Sequence, residues 1–205
     1  MNRLILALAL EMGGGFVVFA QEQGAPTGAE VEVVRVQSGR VRGTDGTFWY
    51  QIEVGVRTRG HGSGRAKFAN RVKMTLNLAT EVGGTPSDLE FYRSTTTAVA
   101  LAPGPSVFRY YLPPEVVTRD RLQGAARFWA IDLSVDGRVA PTSRALIGDG
   151  FSTPAALQNF RLRVAQEAER NDGILLPEHL TFYPSADGAE TTPTMMRPEG
   201  VGLNP

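Results

Sequence analysis

The chain has 205 residues, with 21 Lys+Arg against 21 Asp+Glu, two histidines and no cysteine. Balanced charge leaves no electrostatic footprint for nucleic acid or an anionic membrane. The missing thiol excludes disulfide stapling, a cysteine nucleophile, thiolate metal sites and a lipid-modified N-terminal cysteine.

Residues 1–20, MNRLILALALEMGGGFVVFA, read as an export leader: Arg3 charges the start, Leu4 to Leu10 form a short apolar core, and Val18-Phe19-Ala20 precedes Gln21 as a cleavage site. Glu11 interrupts the apolar stretch, where a carboxylate at a bilayer centre costs roughly 2.5 to 3.5 kcal/mol. Neither apolar piece approaches the ~20 residues of a spanning helix. The expectation is a cleaved signal, no stable membrane insertion and a periplasmic or extracellular protein. The run Gly13-Gly14-Gly15-Phe16 invites comparison with a prepilin peptidase site, but only Val17 to Ala20 follow before polar Gln21, too few for a stalk helix.

Residues 21–29, QEQGAPTGA, form a polar spacer, and a single domain is expected over 30–183. Val31 and Val33 open a first strand. In the second, Phe48, Tyr50, Ile52, Val54 and Val56 alternate with Trp49, Gln51, Glu53, Gly55 and Arg57, the period of a half-buried strand. Val72, Met74, Leu76 and Leu78 repeat the pattern in a third. Between them the basic, glycine-rich 57–67, RTRGHGSGRAK, predicts an exposed loop. Further strands are expected at Leu89–Tyr92, Thr97–Leu101, Ser106–Leu112 and Arg127–Val135. Asp45-Gly46 and Asp136-Gly137 are tight-turn signals, because both residue types tolerate positive φ.

Two places break the β rhythm. Pro113-Pro114-Glu115 predicts a short helical turn near 114–120. Ser152 or Thr153 before Pro154, with Leu157, Phe160, Val164 and Ala168 on one face, predicts a helix over about 152–170. Ile174 to Tyr183 resumes an extended pattern, and 184–205 has the composition of a disordered tail. Short strands with few helices favour an immunoglobulin-like β-sandwich. The helix and the lack of aromatic girdles disfavour an outer-membrane barrel.

No catalytic set, cofactor site or metal site is legible. His61 lies in the glycine-rich loop, alone, where zinc needs three or four convergent ligands. His179 follows Glu178, and neighbours on a strand point to opposite faces. Gly60-His61-Gly62-Ser63-Gly64 fails the G-x-S-x-G elbow, and no phosphate loop is present. Asp132 with Asp136, and Glu167 with Glu169, read as hairpin and helix-end charges rather than a glycosidase pair. The aromatics of Phe48-Trp49-Tyr50 and Phe108-Arg109-Tyr110-Tyr111 fall on both faces of their strands, which marks Trp49, Tyr110 and Tyr111 as a candidate interaction surface.

Taken in order, FWYQIEV, ANRVKMTLNLATE, FYRSTTTAVAL, FRYYLPPEVVTRDRL, FWAIDLSVDG and NDGILLPEHLTFY resemble the pilus-like, immunoglobulin-fold envelope proteins of the verrucomicrobial group over about residues 30–183. The resemblance implies a non-enzymatic exported protein whose partners are envelope or pilus-system proteins. Without a stalk helix, it implies an accessory role rather than a fibre subunit. The competing expectation is a carbohydrate-binding or carbohydrate-active domain using Trp49, Tyr110, Tyr111 and scattered carboxylates.

Overall fold

A computed structural model describes residues 29–60, 63–85, 88–141, 143–181 and 192–196. The expected leader, His61 and most of the segment after Thr181 lie outside the described residues. The alternation of Tyr50, Ile52, Val54 and Val56 becomes β2 (Phe48–Arg59), with all four side chains buried. It pairs antiparallel with β1 (Glu30–Arg42) through a turn in which Gly43 N–H donates to the Thr47 carbonyl at 2.8 Å. A second hairpin joins β3 (Ala69–Glu81) to β4 (Leu89–Leu101); β5 (Gly104–Leu112), β6 (Phe128–Val135), β7 (Arg138–Val139) and β8 (Leu176–Pro177) follow. Asp136 and Gly137, with φ of 51° and 78°, make the β6–β7 turn that the sequence predicts.

The strands form two four-stranded antiparallel sheets in the orders β1-β2-β5-β8 and β4-β3-β6-β7. An immunoglobulin constant domain orders its first, second, fifth and fourth strands in one sheet and its third, sixth and seventh in the other. Here the fourth strand has moved across to pair with the third, and β8 takes its vacated place beside β5. The core lies between the sheets, built from Ile52, Val54, Met74, Leu76, Phe108, Tyr110, Ile131 and their neighbours, all nearly inaccessible.

A third layer covers part of the second sheet. Gly148 and Gly150 donate to the carbonyls of Trp129 and Arg127, both at 2.8 Å, and a Cβ on Gly150 would stand 2.4 Å from the Phe128 ring. That close approach delivers the chain to α2 (Pro154–Glu167), whose N-cap Thr153 accepts from Ala156 N–H at 3.1 Å. Phe160, Val164 and Ala168 then pack on Ala79, Phe91 and Ala130, the outward residues of β3, β4 and β6. At one end of the sandwich sits α1 (Pro114–Arg119). Beside it the buried Asp120 carboxylate accepts from Arg119 Nε at 2.6 Å and from the Tyr92 hydroxyl at 2.9 Å. Burial, then the Asp120 charge, pushes the Tyr92 phenol far up.

Several local expectations change. The two strands expected at 89–92 and 97–101 are one, because Ser94 and Thr96 are buried opposite Leu76 and Met74, small residues facing large ones. Within the strand expected over 174–183, the described residues 174–181 keep only β8, since Pro177 removes a donor and Glu178–Leu180 turn as a 3-10 helix. Within the segment 184–205, residues 192–196 lie antiparallel along β4, Met195 facing Ala98.

Candidate functional site

The outer face of the first sheet gathers the most chemistry. β2 contributes Trp49, Gln51 and Glu53; β5 contributes Arg109 and Tyr111 in direct register with Glu53 and Gln51. Arg109 is 8% exposed. Its Nε donates to Glu53 Oε2 at 3.0 Å, its Nη1 lies 3.6 Å from Glu178 Oε2, and the same Nη1 donates to Thr192 Oγ1 at 3.2 Å. Burial opposes its charge, while Glu53 and Glu178 more than restore it, so its pKa is raised. Glu53 also accepts from Arg35 of β1 at 2.8 Å, which ties three strands across one face.

Of the three residues marked in the sequence, Trp49 is partly accessible and meets the Tyr111 ring edge-on at 6.4 Å. Tyr111 is fully buried, and its hydroxyl accepts from Gln51 Nε2 at 3.0 Å. Tyr110 points to the opposite face, into the core, where burial raises its pKa; its hydroxyl has no hydrogen-bond partner among the described residues. The structure therefore brings Trp49 and Tyr111 together but separates Tyr110 from them. Neither tyrosine presents a ring to solvent.

Two of the acids singled out in the sequence, Asp132 and Glu167, have side-chain partners. Asp132 pairs with Arg161 of α2 at 2.7 Å and accepts from Asn77 at 2.9 Å. Glu167 pairs with Arg163 at 2.8 Å and Arg170 at 3.4 Å, and the Arg163 bond lowers its pKa. Asp136 occupies a turn. Among the described residues no three His, Cys, Asp or Glu side chains converge as metal ligands.

The described residues also form concavities away from this face. A cleft of about 240 Å³ at the end of the sandwich is lined by Tyr50, Glu81, Arg121, Gln123, Arg127 and Phe128, among others. Glu81 Oε1 there is buried without a hydrogen bond among the described residues, 3.7 Å from Arg127 Nη1. A broader basin on the second sheet is bordered by Lys73, Thr95, Thr97, Ser134 and His179. Sequence reasoning missed Arg109, Glu178 and Glu81. The one available signal was a lone arginine inside an otherwise apolar run, Val107-Phe108-Arg109-Tyr110, which needs a counter-charge once the strand is buried.

No protein family matches the sequence, and none of the curated proteins matches it. A crystal structure from Akkermansia muciniphila is similar, with a TM-score of 0.50 and 12% identity over 83% of this chain and 93% of that one. At that identity the likeness is one of fold. The chain is thus a switched-type immunoglobulin-like sandwich with an added helix, and no described helix is long and apolar enough to cross a membrane.

Proposed function

We propose that the protein is an exported, non-enzymatic interaction module of the cell envelope, accessory to a pilus-like system. The observation that carries this reading is the outer edge of β1: thirteen residues long, it has no strand partner among the described residues. An unpaired edge offers main-chain donors and acceptors to an extended segment of another protein. The edge is selective. A register shift between Val33 and Arg35 bends it, and Glu30, Glu32, Arg40 and Arg42 surround it with charge of both signs. Such features block indiscriminate pairing and favour a partner strand of matching charge. The leader expected over residues 1–20 supports the envelope setting, and the likeness to the Akkermansia muciniphila structure supports the sandwich fold that presents this edge.

The test is cross-linking in envelope fractions with a photoreactive residue at Val34, which is exposed at the bulge. Recovery of a pilus or secretion component is expected. Recovery of the chain alone, uniformly soluble, overturns the reading.

A second reading, glycan binding, is favoured by the end cleft, where aromatic rings, a carboxylate, an amide and two guanidiniums surround a volume suited to one sugar ring. Glycan-array binding lost in Glu81→Gln and kept in Trp49→Ala would assign it to this cleft, and a blank array would remove it.

A further inference from the structure

The two long edges of the sandwich are finished in different ways. β1 is bulged and charged, whereas β4, the edge of the other sheet, is straight and already carries a strand from far along the chain. Val99 N–H donates to the Thr194 carbonyl at 2.9 Å, and Met196 N–H donates to the Thr97 carbonyl at 2.7 Å. These two bonds flank Ala98 and Met195, which therefore face each other as a non-hydrogen-bonded antiparallel pair. Met195 packs on the core cluster, and its sulfur accepts from Thr96 Oγ1 at 3.4 Å. Thr192 reaches Arg109 and Glu178 at 3.2 Å each. The edge of β4 is thus a strand-accepting site with a main-chain ladder, a seat for one methionine and a polar anchor.

We propose that this site also accepts residues 192–196 of a second copy of the chain, so that copies are joined by exchange of the same strand. Every contact just described forms equally well whether the strand arrives from its own sandwich or from a neighbour, and exchange of an identical element creates no new interface to be optimised. Thr181 and Thr192 are eleven residues apart, a reach of at most roughly 36–40 Å. A domain of this size has a radius of gyration of about 16 Å, so the reach spans its diameter. The balance is set by concentration: the tethered strand competes at an effective concentration on the order of millimolar, and exchange gains only where copies are crowded to that level. The inference goes beyond the envelope reading and does not depend on any other partner.

The absence of cysteine makes the test direct. A non-hydrogen-bonded pair brings Cα atoms to about 4.5 Å, within the range a disulfide spans. Two full-length variants, Ala98→Cys and Met195→Cys, are unfolded together, refolded at high concentration and oxidised. The expected product is a mixed disulfide dimer, severalfold more abundant than the dimers either variant forms alone. The double variant, refolded dilute, closes within one chain and confirms the register. A mixture that cross-links no more than its components, while the double variant closes fully, overturns exchange. A double variant that fails to close overturns the site itself. Wild-type chain refolded at high concentration supplies a cysteine-free readout: slowly reversing dimers or multimers by light scattering are expected, absent in Met196→Pro, which lacks the donor to Thr97. Wild type that stays monomeric under these conditions also overturns exchange. The Val34 cross-linking experiment is unaffected by any of these outcomes, so failure of one proposal is distinguishable from failure of the other.

Discussion

β2 and β5 run side by side through nine register pairs, from Tyr50↔Leu112 to Thr58↔Gly104, yet they meet water very differently. β2 buries its inward residues and leaves Gln51, Glu53 and Arg57 at least partly wet; β5 is buried on both faces from Ser106 to Leu112. The strands differ in what lies above them. Glu178 and Thr192 close over Arg109, and Trp49 closes over Tyr111, so the outer face of β5 is shut in by side chains from its neighbour and from far later in the chain. Strand alternation reports which residues share a face, but whether that face is dry depends on elements with no local signal.

The largest break in this contrast is expected from Tyr110→Ala, which empties a fully buried ring site and should cost about 3–5 kcal/mol in chemical denaturation. Arg57→Ala on exposed β2 should stay within about 0.5 kcal/mol. Tyr110→Phe sharpens the contrast further: it removes a hydroxyl with no partner among the described residues, so stability should hold or rise. A measured loss comparable to the alanine variant would mean the hydroxyl is satisfied.

Next comes Arg109→Met, which leaves Glu53 and Glu178 facing one another without their shared cation. Both carboxylates keep some access to water, at 18% and 17%, so the cost should fall below the 3–5 kcal/mol of a fully buried broken pair, at about 2 kcal/mol. Adding Glu53→Gln should recover part of it, as a double-mutant cycle would read. Smaller again, Trp49→Ala should lose about 1 kcal/mol from its edge-on contact with Tyr111, without disturbing the sheet by far-ultraviolet circular dichroism.

The smallest effect is a pH slope. Desolvation holds His179 below its ordinary 6.5, with Glu178 pulling the other way. The unfolded chain takes up that proton first as pH falls, so the contribution is fully present above about 6.5 and is lost between there and the lower folded value. His179→Gln should flatten the denaturation midpoint across this window, and an unchanged slope would assign it to other groups.

Much of the sandwich was legible from the sequence for physical reasons. β2 alternates because one face meets the core, and β3 does so until Leu76, from where to Thr80 it is buried on both faces. Asp136-Gly137 specifies a turn that few other pairs tolerate, and Thr153-Pro154 marks the start of α2 through cap and fixed φ. β4 was harder to read because its middle carries Ser94 and Thr96, whose burial is decided by Leu76 and Met74 across the ladder. Tyr111 and Arg109 could not be placed from their own neighbourhood at all. The surroundings of Arg109 are completed by Glu178 and Thr192, 69 and 83 positions away in sequence, and those of Tyr111 by Trp49 and Gln51, 62 and 60 positions away; no periodicity spans such gaps.

The vacated fourth-strand position beside β5 has a consequence for the order of events as the chain is made. The β1–β2 and β3–β4 hairpins are complete early in the chain, but the strand that fills this position begins only at Leu176. Until then the β5 edge at Tyr110 and Tyr111 stands open, and the β4 edge stays open until residues 192–196 follow, in a nascent sandwich that otherwise has its two layers. Such an intermediate exposes aromatic surface and an unpaired ladder together, the combination that invites chaperone capture or aggregation. A ribosome-stalled chain ending before Leu176 should therefore bind a hydrophobic dye strongly, and one extended past Met196 should not.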